Sequence, residues 1–246
     1  MTAITPPVTR SHPPTAIPPG IGDRVRAALA PRERAAAWTL PATLGVLALA
    51  AVLYLVNLTV SGYANEFYSA AAWAGAQSWS SWFFGSIDPA NFITVDKPPL
   101  ATMVMGLSVR LFGLSSAAIL LPEALMGVAT VGILMATVRR TFGGAASIIA
   151  GLVMALTPAA VLIFRYNNPD ALLTLLLVGS AYAFLRTIED GRVRWLVLTG
   201  LLVGLAFNTK LLQGWMVLPA FAITYAFCAP GSIRRGAPVS RSRSAP

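Results

Sequence analysis

The residues of this chain best suited to chemistry lie in one stretch, Gly62 to Pro99. It reads Gly-Tyr-Ala-Asn-Glu-Phe-Tyr, then a Trp-rich run, then Phe-Gly-Ser, and closes on Asp-Lys-Pro-Pro. Its acids are Glu66, Asp88 and Asp96, its lysine is Lys97, and Trp73, Trp79, Trp82, Phe83 and Phe84 crowd its middle. A carboxylate can take a proton from an acceptor hydroxyl. A lysine or arginine at a lipid boundary can hold a phosphate and stabilise it as it leaves. Aromatics can pack on a sugar face or a lipid chain, or simply form a belt at a membrane interface. Acid, base and interface together are what sugar transfer from a lipid phosphate requires.

The elements around this stretch are apolar. Of the 246 residues, 56% are hydrophobic and only 11% charged, where a soluble domain carries about a quarter charged residues. The chain reads as an all-α integral membrane protein, with a lipid bilayer as its first partner. The net charge of +9 does not indicate nucleic acid, because the arginines fall in short clusters between apolar segments, as a topology signal does. The one cysteine, Cys228, sits in an apolar run and reads as a small buried residue. No metal site is indicated, and the one histidine, His12, lies in a Pro-rich tail.

Residues 1–37 read as a disordered, basic, cytoplasmic tail. Residues 38–229 read as a membrane module, with spans at about 38–58, 117–138, 143–164, 170–186, 195–209 and 211–228 and an outer loop at 59–116. Residues 230–246 form a second basic tail, whose Arg/Ser/Pro composition suggests truncation. Glu66 to Gly85 has the make-up of a helix lying in the interface. Segment 98–113 is apolar but short. If it lies at the outer surface instead of crossing, 14 of the 18 basic residues become cytoplasmic, as the positive-inside rule requires. Both termini are then inside, and the six-span arrangement follows.

On the outer side this arrangement collects Glu66, Asp88, Asp96, Lys97, Arg165, Asp170 and Lys210. Each has a plainer reading. Arg165 and Lys210 can snorkel to the interface. Asp170 follows Pro169 and can favour a helix start. Asp88-Pro89 can be a turn. Glu123, after Pro122 near the outer end of a span, reads as a helix-start or packing residue rather than a catalytic one.

Gly62 to Pro99, Arg165-Tyr-Asn-Asn-Pro-Asp170 and Asn208-Thr-Lys210 together resemble the N-terminal membrane module of glycosyltransferase family 39, from about Trp38 to Pro230. That family includes the protein mannosyltransferases and the lipid A aminoarabinose transferases, and this chain looks most like its actinobacterial members. The resemblance implies a multi-span GT-C-like helical bundle with interfacial helices in the first outer loop. It implies a polyprenyl-phosphate sugar as donor substrate, an inverting single displacement on the outer face of the cytoplasmic membrane, and no obligatory cofactor. By position Glu66 takes the place of the catalytic base, where relatives carry Asp or an Asp-Glu pair, with Asn65 beside it. Lys97 would face the donor phosphate, with Asp96 in support, and Asp170 matches a second outer acid. Lys210 matches a lysine between two spans and, with Arg165, is a further phosphate candidate. The acceptor is a protein, a lipid or a glycan.

Two other functions compete. A flippase or transporter for a lipid-linked substrate would hold polar groups near the mid-bilayer, whereas here they gather at one face. A non-catalytic scaffold would account for the spans and for Gly200-x-x-x-Gly204 but not for the clustered acids. Family members are longer than this chain, so an inactive fragment is the remaining alternative.

Overall fold

The computed structural model describes residues 36–228. The tails expected at 1–37 and 230–246 therefore lie outside the described residues, apart from Ala36 and Ala37. Within that range the apolar runs are helical. α1 is Thr39–Leu55, α2 Glu66–Gln77, α3 Trp79–Phe84, α4 Leu100–Phe112 and α5 Ser116–Phe142. α6 is Gly144–Leu156, α7 Pro158–Phe164, α8 Asp170–Asp190, α9 Val193–Lys210 and α10 Leu218–Cys228. Short 3-10 turns follow α1 at Leu58–Ser61 and α9 at Leu211–Trp215.

Four helical segments are long and apolar enough to cross a membrane: Thr39–Ser61, Ser116–Phe142, Asp170–Asp190 and Val193–Trp215. α6 and α7 make a fifth if they count as one span, although they meet at a bend of 65°. This is a multi-pass, all-helical membrane protein. Apolarity alone reads 143–164 as one unbroken helix. The break falls at Thr157, whose extended backbone is what a following proline enforces, since the Pro158 ring disfavours the helical conformation of the residue before it. The last apolar segment, 211–228, is also divided. Its first part folds back on α9 as the 3-10 turn, with Trp215 stacked on Phe207 at 4.5 Å. Its second part, α10, is 11 residues within the described range, or about 16 Å at helical rise, against a hydrocarbon core of about 30 Å.

The bundle is held by close backbone approach as much as by large side chains. α5 packs on α1, α6 and α8, and α8 and α9 form a hairpin. A Cβ on Gly127 of α5 would lie 2.5 Å from the Phe164 ring, so the ring fits there only because position 127 has no side chain. Phe164 in turn meets Tyr54 at 5.1 Å, and both are almost wholly buried. Gly200 and Gly204, whose spacing suits helix pairing, face open space among the described residues.

Segment 59–115 forms a subassembly of its own at one end of the bundle. α2 and α4 pack together through small residues, with Gly75 and Gly106 both closing on Trp82. The Trp82 indole donates to the Met103 carbonyl at 2.8 Å. Arg110 of α4 donates to the Gly75 carbonyl at 2.7 Å and stacks 3.7 Å over Trp79. α4 is tied near its C-terminus to the start of α5 and, just before its N-terminus, to α2. Ser108 donates to the Ala118 carbonyl, and Asp96, just before α4, is bonded to α2. The opposite end of the bundle carries a second polar cluster. There Arg140 of α5 pairs with Glu189 of α8 at 2.5 Å, and Arg186 pairs with Asp190 at 2.5 Å.

Candidate active site

The N-terminus of α2 is where the separate polar segments meet. Asn65 caps the helix, its side chain accepting from the Phe67 N–H at 3.1 Å, which satisfies one of the donors a helix start leaves open. Its own backbone is gripped by a side chain 102 residues away. The Asn65 N–H donates to Asn167 Oδ1 at 2.7 Å, and the Asn65 carbonyl accepts from Asn167 Nδ2 at 2.9 Å. Asn167 Nδ2 also donates to Ser69 Oγ at 2.8 Å. Asn167 is wholly buried and locks the first turn of α2 onto the loop before α8. The next residue, Asn168, accepts from the Asp170 N–H at 2.8 Å and so satisfies the first N–H of α8. The Asn-Asn-Pro-Asp run thus performs two positioning tasks with adjacent side chains.

Two lysine–aspartate pairs stand beside this turn. Lys97 donates to Asp96 at 2.6 Å. Lys210, the last residue of α9, donates to Asp170, the first of α8, at 2.5 Å. Tyr68, on α2, donates to the other oxygen of Asp96 at 3.1 Å. Its phenol also feels the charge of Asp170, so it stands within electrostatic range of both pairs. The Lys97 hydrogen bond holds the Asp96 carboxyl below the usual carboxylate range, with the Tyr68 hydrogen bond acting the same way. The Tyr68 phenol is pushed up to about 12, first by burial and next by its hydrogen bond to Asp96.

Glu66 is the first residue of α2 and is exposed. No side chain among the described residues bonds to its carboxylate. Arg165 is differently engaged. Its guanidinium donates to the carbonyls of Leu53, Val56 and Asn57, each at 2.8 Å, and so closes the C-terminal end of α1, where helix carbonyls lack partners. Asp88 is also engaged, accepting from the backbone N–H groups of Phe92 and Ile93 at 3.1 and 3.2 Å; it builds the turn that Asp-Pro suggests. Glu123 is no helix-start residue, because Ser115 caps α5 and the helix begins at Ser116. Its carboxylate is fully buried, and neither oxygen has a hydrogen-bond partner among the described residues. No group of three or more His, Cys, Asp or Glu among the described residues is arranged to hold a metal ion.

Sequence reasoning misses Asn167 and Tyr68. Asn167 carries no charge, and its partner is a backbone 102 residues away. Tyr68 is one aromatic among many, and only its contact with Asp96 distinguishes it.

Residues 96–238 match the model of the dolichyl-phosphate-mannose-protein mannosyltransferase family. YycA of Bacillus subtilis (strain 168), named as a proposed mannosyltransferase, is 39% identical over 190 residues, which cover 77% of this chain and 28% of YycA. YkcB of the same strain, named likewise, is 38% identical over 190 residues, covering 77% of this chain and 26% of YkcB. This chain therefore spans about a quarter of the length of these curated relatives. No solved structure matches it. The family match covers more than half of the chain and includes Lys97, Asp170 and Lys210, and both relatives are named as mannosyltransferases: the chain belongs to the dolichyl-phosphate-mannose-protein mannosyltransferase family.

Proposed function

We propose that this chain forms the donor-binding and base-carrying part of a membrane glycosyltransferase. The enzyme moves a sugar, mannose by the names of its relatives, from a polyprenyl phosphate to an acceptor hydroxyl on the outer face of the membrane. The observation that carries this reading is that an unengaged acid, Glu66, opens α2, whose first turn is joined to one lysine–aspartate pair through Tyr68 and to the loop leading into the other through Asn167. Lys97 and Lys210 hold the donor phosphate, exchanging part of their contact with Asp96 and Asp170 for phosphate oxygens. Glu66 takes the proton from the acceptor hydroxyl. The acceptor oxygen forms its bond to the anomeric carbon as the bond from that carbon to the phosphate oxygen breaks. The electron pair leaves with the polyprenyl phosphate, whose added charge the two lysines stabilise, and the anomeric configuration inverts. Arg165 is assigned to holding the loop before α8 against α1. Asp170 stays with Lys210 and orients it.

Transfer of radiolabelled sugar from a polyprenyl-phosphate donor tests the base. Glu66→Gln keeps the shape and cannot take a proton, so turnover should fall by ~10²–10⁴-fold with donor binding nearly unchanged. Near wild-type transfer in Glu66→Gln together with collapse in Asp170→Asn would move the base to Asp170.

A further inference from the structure

We propose that Tyr68 is a positioning residue for the donor phosphate, acting through Asp96 to fix the Lys97 ammonium. The inference rests on the reading of Lys97 as a phosphate ligand and adds a residue to which no role is otherwise assigned. Lys97 has a flexible four-carbon stem, and an ammonium on such a stem has no fixed direction of its own. Its one partner here is Asp96 Oδ2. Asp96 is itself 56% exposed along its side chain and would turn freely if that were its only contact. Tyr68 prevents this. Its hydroxyl occupies Asp96 Oδ1 at 3.1 Å, and its ring is rigid because the residue is only 8% exposed and sits edge-on to Phe67 at 5.6 Å. The base of α2 is in turn fixed by Asn167. A continuous chain of contacts therefore runs from the buried loop before α8, through α2, to the phenol, the carboxylate and the ammonium.

The direction of the contacts carries the argument. The phenol donates to Asp96, and so does Lys97, each to its own oxygen. Asp96 is left as a two-sided acceptor that draws no proton from either donor. Tyr68 also lies in range of Asp170, the partner of Lys210. Its direct contact is with the Asp96–Lys97 pair. A phenol that only filled the core would need no hydroxyl.

The test is a double-mutant cycle on donor binding, measured with polyprenyl phosphate and the protein in lipid nanodiscs. Tyr68→Phe keeps the ring and removes the hydroxyl. It should weaken polyprenyl phosphate about three- to tenfold, the worth of one net hydrogen bond, in protein that still folds. Lys97→Ala should weaken binding further. The double variant should bind no worse than Lys97→Ala alone, because Tyr68 acts only through that lysine. Full additivity, or unchanged binding in Tyr68→Phe while Lys97→Ala is weakened, overturns the proposal. Unchanged binding in Lys97→Ala itself overturns the donor-site reading, and the Tyr68 role with it. If Tyr68→Phe does not fold, Asp96→Asn cuts the same link outside the core and should give the same loss. A well-folded Asp96→Asn with wild-type binding would then reject the link.

Discussion

Glu123 is the residue that the fold explains least. It lies in the third turn of α5, fully buried, with both carboxylate oxygens unpartnered. Leaving a buried polar group unsatisfied costs about 1–3 kcal/mol, and more when it is charged. Replacing such a group by an apolar one of similar volume is often neutral or stabilising. Glu123→Leu should therefore leave stability unchanged or raise it by about 1–3 kcal/mol, as read from thermal or denaturant unfolding in detergent. A clear loss would mean that a partner for Glu123 exists in the folded protein. The other acids show how far residue type alone can be read. Asp88 in a turn is legible, because Asp-Pro is a local signal. That Lys210 holds Asp170, 40 residues away, is not, because nothing local joins them. Arg165 is legible as a cation at a helix end, but its three carbonyl partners lie at and just past the C-terminus of α1, more than 100 residues earlier.

Among the elements, boundaries set by apolar composition and length are readable and bends are not. α1, α5, α8 and α9 follow the hydropathy because each is a continuous run bounded by loops, glycine or charge. The α6–α7 bend is carried by two residues, Thr157 and Pro158, inside a run that stays apolar throughout. Its consequence is tertiary. The turn of α7 brings the Phe164 ring against the bare backbone of Gly127, and it delivers Arg165 and Asn167 to α1 and α2. Gly127→Ala tests this dependence. A methyl group there would lie 2.5 Å from a ring that packs on Tyr54, so ring or helix must shift. Overpacking of this kind costs about 1–3 kcal/mol. Unfolding in detergent should show that loss. Gly200→Ala, with nothing within 4 Å of its added carbon, should show none and serves as the control for the helical preference of alanine over glycine.

At the scale of the whole molecule, the structure has two polar ends. One gathers Asn65, Asp96, Asn167, Asp170 and Lys210; the other gathers Arg140, Arg186, Glu189 and Asp190. The helices that pass between them separate the two ends, and the arginine distribution predicts which side each end faces. Arg139, Arg140, Arg186, Arg192 and Arg194 all belong to the second end, which should be cytoplasmic. The first end, with the candidate site, should then face outward. Labelling of single cysteines with a membrane-impermeant thiol reagent decides the matter, after the buried Cys228 is changed to serine. Asp88 and Gly191 are poor label sites, because the Asp88 carboxylate builds its turn and Gly191 has a positive φ of 63°. Ala90 and Arg192 are exposed neighbours of each. Ala90→Cys should react from outside in intact cells, and Arg192→Cys only after permeabilisation. Reaction of both from the same side would break the alternation of spans. Reaction of Arg192→Cys alone in intact cells would invert the molecule and put the lysine–aspartate pairs in the cytoplasm, where an outward-facing lipid-linked donor could not reach them.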